Sequence, residues 1–165
     1  MEKNKVSNLP ERLSVSEADA QYGPAVTEGA ALLAFNREMA ELGDKMVAEV
    51  MAVFDDTGID LDYTEESLEE LDDLIDMIWA DSPITEEEAV AAVVANWGAY
   101  FGLTILHNLG GEWVFRKDLE HTAVRFPRLS LEIFPLHKVK KRMMLGKEEH
   151  LFNFYERLVE ELTAD

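Results

Sequence analysis

The chain has 165 residues, 47% of them hydrophobic and 30% charged, which is about one domain of ordinary globular composition. Charge is the unusual quantity: 34 acidic residues stand against 15 basic ones, a net charge of -19 with histidine neutral. That balance argues against duplex nucleic acid and anionic membrane surfaces as partners, since both require clustered Lys and Arg. The absence of Cys excludes disulfides, thiolate metal sites and thiol nucleophiles.

Residues 1–26, with Pro10, Gly23, Pro24 and no sustained apolar period, read as a largely irregular N-terminal arm, and residues 27–165 as a single domain. No apolar signal segment follows Lys3 and Lys5, so the expected location is cytoplasmic. From Thr27 to Phe54 the residues Leu32, Phe35, Met39, Leu42, Met46, Val50 and Val53 recur at three- and four-residue steps, predicting one long amphipathic helix that Gly43 weakens. A second helix is predicted over Thr64 to Ala80, with Leu68, Leu71, Leu74, Ile75, Ile78 and Trp79 inward and its acids outward. After a Ser82-Pro83 break, Thr85 with Glu88 three residues on forms a capping-box pattern for a third helix. Its uncharged run Ala89–Leu106 begins beside Glu86, Glu87 and Glu88, is rich in Ala and lacks flanking Lys or Arg. A central helix with close crossings at Gly98 and Gly102 explains it better than a membrane span.

Beyond Gly110-Gly111 the period changes from 3.6 to 2. Glu112–Lys117, His121–Phe126 and Leu129–Phe134 alternate, and the links between them are too short for crossover helices, so three strands form an antiparallel meander. Pro135 then opens a short basic helix ending near Gly146, and a last helix runs from Glu148 to Leu162. The expectation is an α+β fold: three N-terminal helices, a three-stranded antiparallel meander and two C-terminal helices.

The charge is segregated. Residues 1–110 hold 24 acids and 5 cations, whereas residues 111–165 hold 10 of each. Asp55 to Glu88 contains 15 acids and no cation, while His137 to Lys147 contains Lys138, Lys140, Lys141, Arg142 and Lys147 and no acid. On the second helix Glu65/Glu69, Glu66/Glu70, Glu69/Asp73 and Asp72/Asp76 are like charges four apart, each costing about 0.2–0.5 kcal/mol in an isolated helix.

Motifs for known chemistry are missing. The acidic loop Asp55–Asp62 fits no EF-hand register, so it reads as a solvated turn and helix cap. His107, His121, His137 and His150 show no pair at helical ligand spacing, which argues against zinc, and no metal or cofactor is expected. Phosphate loops and a Gly-x-Ser-x-Gly elbow do not occur. One polar stripe stands out on the apolar third helix: Asn96, Tyr100 and His107, with Leu103 between. It either hydrogen-bonds within the core or, with Trp97 and Trp113, lines a small-molecule pocket.

Gly98-Ala99-Tyr100-Phe101-Gly102, Leu109-Gly110-Gly111-Glu112-Trp113-Val114 and Phe134-Pro135-Leu136-His137-Lys138-Val139-Lys140-Lys141-Arg142 together resemble the motif set of a family of small, mostly bacterial single-domain proteins of unknown function, over roughly residues 65–145. The resemblance implies a soluble scaffold and brings no catalytic residues. The expectation for function is a non-enzymatic, monomeric or homodimeric domain that binds a basic surface on another protein. Glu66, Glu69, Glu70, Asp72, Asp73 and Asp76 would make the contact, in the manner of an immunity or regulatory protein. The alternative is a small-molecule-binding protein or enzyme using the Asn96/Tyr100/His107 stripe.

Overall fold

The uncharged run Ala89–Leu106 forms the axis of the molecule. In the computed structural model, which describes residues 2–79 and 84–164, it lies within helix α5 (Glu87–Leu109). By length and composition α5 could cross a membrane; half of its most apolar window is buried by the rest of the protein. Around it pack α3 (Ala30–Phe54), α6 (Pro135–Leu145) and α7 (Leu151–Thr163), while α4 (Ser67–Trp79) lies against α7. The small residues on α5 mark its closest crossings. A Cβ on Gly98 would stand 2.7 Å from Leu136 Cγ, and one on Gly102 only 2.1 Å from Trp113 Cη2. Neighbouring side chains thus occupy the space of the missing methyls.

The sheet has four antiparallel strands, β1 (Arg12–Ser14), β2 (Glu112–Val114), β3 (Ala123–Phe126) and β4 (Leu131–Ile133), in the order β1-β4-β3-β2. β2, β3 and β4 are the expected meander. The fourth strand corrects the expectation of three, and it comes from the segment that reads as an irregular arm. Residues 1–26 also hold α1 (Glu2–Ser7) and α2 (Val15–Tyr22), giving seven helices among the described residues instead of five. Their physical task is to cover edges, since an open strand edge presents unpaired backbone groups. β1 pairs with β4, α2 crosses one face, and Val26 pairs with Phe115 at the other edge. Ser14 caps α2 through a capping box: its Oγ accepts the Glu17 N–H at 3.1 Å and Glu17 Oε1 accepts the Ser14 N–H at 3.0 Å.

Both faces of the sheet are therefore covered. Trp113, Val124, Phe126, Leu131 and Ile133 join the main core, while Val114, Ala123 and Phe134 form a smaller cluster with Ala18 of α2. Glu132, which alternation alone would turn to water, is fully buried on this second face. Its carboxylate accepts from Arg116 at 2.8 and 3.2 Å and from Arg125 at 2.7 and 3.1 Å. Asp19 of α2 takes a further hydrogen bond from Arg116 at 2.8 Å.

Several boundaries shift. Ala80, expected to end the second helix, and the Ser82-Pro83 break lie outside the described residues. α5 begins at Glu87 with Glu86 as its cap and no side-chain cap bond, so the Thr85/Glu88 box does not start it. Between α5 and β2, Gly111 has φ +89° and its missing Cβ would lie 2.9 Å from Phe126 and Val124, which leaves glycine the only residue that fits. Pro135 occupies the first turn of α6 as expected, whereas Lys147–Glu149 form a separate 3₁₀ turn and α7 starts at Leu151.

Candidate functional site

α4 buries the stripe Leu68, Leu71, Leu74, Ile75 and Trp79, which fixes where its acids point. Glu66, Glu69 and Asp73 are exposed and Glu70 is half-buried. The preceding loop, to which Glu66 belongs, adds Asp60, Asp62 and Glu65, all exposed. Glu70 Oε2 accepts the Asp60 N–H at 2.8 Å, tying loop to helix. Asp62 accepts from the Thr64 hydroxyl at 2.6 Å and amide at 3.2 Å, and these donors hold its carboxyl below the usual range. The negative field reaches a neighbouring phenol: burial, then the Glu65 and Glu66 carboxylates, pushes the Tyr155 hydroxyl up to about 12.

Asp72 and Asp76 belong to a different site. Asp72 is 1% exposed and accepts from Arg142 Nε at 2.9 Å and from the backbone N–H groups of Leu151 and Phe152, both at 3.0 Å. Arg142, also 1% exposed, donates through Nη2 to Asp76 Oδ1 at 2.8 Å. A like-charge pair four residues apart is thus an arginine clamp that also caps α7. Asp72 is unavailable to a partner, and Asp76 is half-buried and already engaged.

The rest of the basic helix turns inward in the same way. Lys141 bonds Glu11 at 2.7 Å, and Lys138 bonds Glu149 at 2.7 Å with Glu11 at 3.3 Å. Burial raises the Glu11 carboxyl, but the Lys141 hydrogen bond and the charges of Lys138 and Lys141 outweigh it and hold the group below its ordinary value. Of the five cations on this segment, Lys138, Lys141 and Arg142 are buried; Lys140 is half-buried and Lys147 exposed. The basic pole legible in the sequence is largely consumed inside the fold.

The polar stripe of α5 does not open onto a cleft at Tyr100. Tyr100 is fully buried; its hydroxyl accepts the Tyr63 N–H at 3.0 Å and shares a hydrogen bond with Ser67 Oγ at 2.7 Å. The Tyr63 ring stacks on Tyr100 at 4.7 Å and lies 5.4 Å from the exposed His107, filling the space between them. Tyr63 holds a left-handed φ of 63°, fixed by its amide, by its carbonyl accepting from Asn108 at 2.9 Å, and by its hydroxyl donating to Asp44 at 2.8 Å. Asn96 is half-buried, Trp97 joins the main core, and Trp113 packs over Gly102. Tyr63 is the residue that spacing arguments missed, because it lies in a loop outside the periodic segments.

The fold also gathers what the chain scatters. His121, in the 3₁₀ turn Leu119–His121, comes within 5.8 Å of the His137 ring on α6, beside Asp118 and Glu120. Helical spacing could not reveal this pair, since one member lies in a strand connection. No known family model, curated protein or solved structure matches the chain.

Proposed function

We propose that the protein is a non-enzymatic, cytoplasmic interaction domain whose acidic face binds a basic surface on another protein. The face comprises Asp60, Asp62, Glu65, Glu66, Glu69, Glu70 and Asp73. The observation that carries this reading is the direction of the cations: Lys138, Lys141 and Arg142 of α6 are buried against internal carboxylates, and among the described residues no ion pair engages Glu66, Glu69, Glu70 or Asp73. The helix keeps the exposed like-charge pair Glu69/Asp73 at four-residue spacing, at a cost of about 0.2–0.5 kcal/mol, with Glu65 and Glu66 just before its first turn, which is the pattern of a surface maintained for attraction to something outside the fold. Such complementarity acts mainly on association rate and makes binding salt-dependent.

The test is binding to a lysine-rich peptide and capture of a partner at about 0.05 M and about 1 M salt, where the screening length falls from roughly 14 Å to 3 Å. The variant joins Glu66→Gln, Glu69→Gln, Glu70→Gln and Asp73→Asn and leaves Asp72 and Asp76 intact. Binding is expected at low salt and lost both at high salt and in the variant. Binding indifferent to both changes refutes the assignment.

A further inference from the structure

His137 is 2% exposed, and its Nδ1 lies 2.8 Å from the Pro10 carbonyl oxygen. A carbonyl only accepts, so Nδ1 carries the proton and Nε2 retains a bare lone pair. That Nε2 is buried and has no hydrogen-bond partner among the described residues. An acceptor left so costs free energy unless it has a further use. An imidazole oriented by an Nδ1–H bond to a backbone carbonyl, with Nε2 free, is the arrangement that metal-ligating histidines adopt.

The surroundings supply further ligands. One donor atom each from Asp118, Glu120 and His121 lie within 4.8 Å of one another. Asp118 Oδ2 stands 3.6 Å from His121 Nδ1, and Glu120 Oε1 3.8 Å from His121 Nε2. The His121 and His137 ring centroids are 5.8 Å apart at 85°. With Zn–N bonds of about 2.1 Å, each ring centroid lies about 3.2 Å from the ion, so two histidines on one tetrahedral centre have centroids about 5.2 Å apart. The observed separation exceeds this by about 0.6 Å, a difference that metal binding would close by a shift of the Leu119–His121 turn toward the His137 ring, which Pro10 holds in place. Tyr22 stacks on His121 at 4.0 Å and meets His137 edge-on at 6.2 Å, bracing both rings.

We propose that Asp118, Glu120, His121 and His137 form a binding site for a divalent transition metal of the zinc type. Two imidazoles with two carboxylates suit such borderline ions, whereas Mg²⁺ and Ca²⁺ prefer oxygen-only sets. Burial keeps His137 below its ordinary protonation range, which favours the neutral form that a metal requires. A groove of about 790 Å³ lined by Asp118, Glu120 and His137 gives an entry path. Lys117 and Lys140 line the same groove and oppose a second positive charge, so affinity rests on the ligands themselves.

The test is calorimetric titration of the full chain with Zn²⁺, with Co²⁺ absorption as a second readout. One saturable equivalent is expected, unaffected by excess Mg²⁺. His121→Ala and Asp118→Asn should each weaken it at least about tenfold, and the control Glu66→Gln should leave it unchanged. Because His137→Gln risks the fold, His137 is followed in the unmodified protein by imidazole nitrogen resonances, where Zn²⁺ should shift Nε2 far more than Nδ1. Unsaturable binding, equal affinity in the two variants, or an unmoved His137 Nε2 overturns the proposal.

Discussion

Arg142→Met removes the guanidinium from its clamp and leaves the Asp72 carboxylate in a site that is 1% exposed. Two of the three donors to that carboxylate survive, the amides of Leu151 and Phe152, and His150 Nδ1 lies 3.2 Å away, but the buried guanidinium is gone and Asp76, four residues away, keeps only the exposed Lys147 at 4.0 Å. Breaking a buried ion pair from one side costs about 3–5 kcal/mol, a third or more of the roughly 10 kcal/mol that a typical domain possesses. At about 2–4 °C per kcal/mol for a chain of this size, the melting temperature should fall by roughly 6–20 °C. Urea unfolding is the assay: the midpoint should fall while the slope is retained, because the surface exposed on unfolding is unchanged. Arg142→Lys should recover only part of the loss, since one ammonium cannot reproduce the fork that reaches both Asp72 and Asp76. Lys147→Ala, at an exposed side chain of the same segment, should leave the midpoint in place. A cost below about 1 kcal/mol for Arg142→Met, the level of an exposed pair, refutes the view that this helix is basic for internal reasons.

Glu132→Gln should cost about 3–5 kcal/mol in the same assay, because Arg116 and Arg125 then lose their shared buried carboxylate; a change within 0.5 kcal/mol, the size of an ordinary surface effect, would show the cluster to be wet. Gly102→Ala should cost about 1–3 kcal/mol by driving a methyl into Trp113. Combined with Trp113→Leu it should cost less than the two single changes together, and strict additivity would mean the two residues do not touch. Deleting residues 1–26 should expose both sheet edges and produce aggregation on size-exclusion chromatography; a monodisperse monomer would show the arm to be dispensable. Stability should decline on acidification in two stages. The folded His137 protonates below its ordinary 6.5, so its contribution is complete above that value and is lost as pH falls below it. Glu11, held below 4.5 in the fold, contributes above 4.5 and is lost as pH falls further. Urea midpoints that are identical at pH 7.5 and pH 5.5 would remove the His137 part of this account.

Elements with several turns or a clear alternation were legible in the sequence. α3, α5 and the meander carry enough periods for the pattern to outweigh chance, and Pro135 marks the start of α6 by local chemistry. The arm was not legible, because a three-residue strand and an eight-residue helix span only one to two periods, too few for a pattern to stand out from chance. Two capping-box patterns make the point sharply. Ser14 with Glu17 forms the box and Thr85 with Glu88 does not start its helix. What separates them is tertiary: Ser14 ends a strand paired to β4, so its backbone is already extended when α2 begins. Glu66, Glu69, Glu70 and Asp73 could be assigned to the outer face from helical period alone. The inward turn of Asp72 could not, because it depends on Arg142, 70 residues away.

The segregation of charge along the chain has a physical use that explains where its excess ends up. The internal ion pairs join distant segments: Arg142 to Asp72 across 70 residues, Arg116 to Asp19 across 97, and Lys141 to Glu11 across 130. Cations concentrated in the C-terminal part thus recruit carboxylates of the arm and of α4, and so fasten β1, α2 and α4 onto α5, α6 and the sheet. With only 15 cations for 34 acids, this fastening takes up five cations, Arg116, Arg125, Lys138, Lys141 and Arg142, and leaves most of the carboxylates outside these pairs. The two populations differ in screening, since salt weakens exposed charges far more than buried ones. Raising the salt concentration should therefore leave the urea midpoint level or raise it, as repulsion among Glu65, Glu66, Glu69 and Asp73 is screened, while binding to a basic partner declines. A midpoint that falls with salt while binding stays constant would reverse the assignment, placing the stabilising charges at the surface and the binding determinants elsewhere.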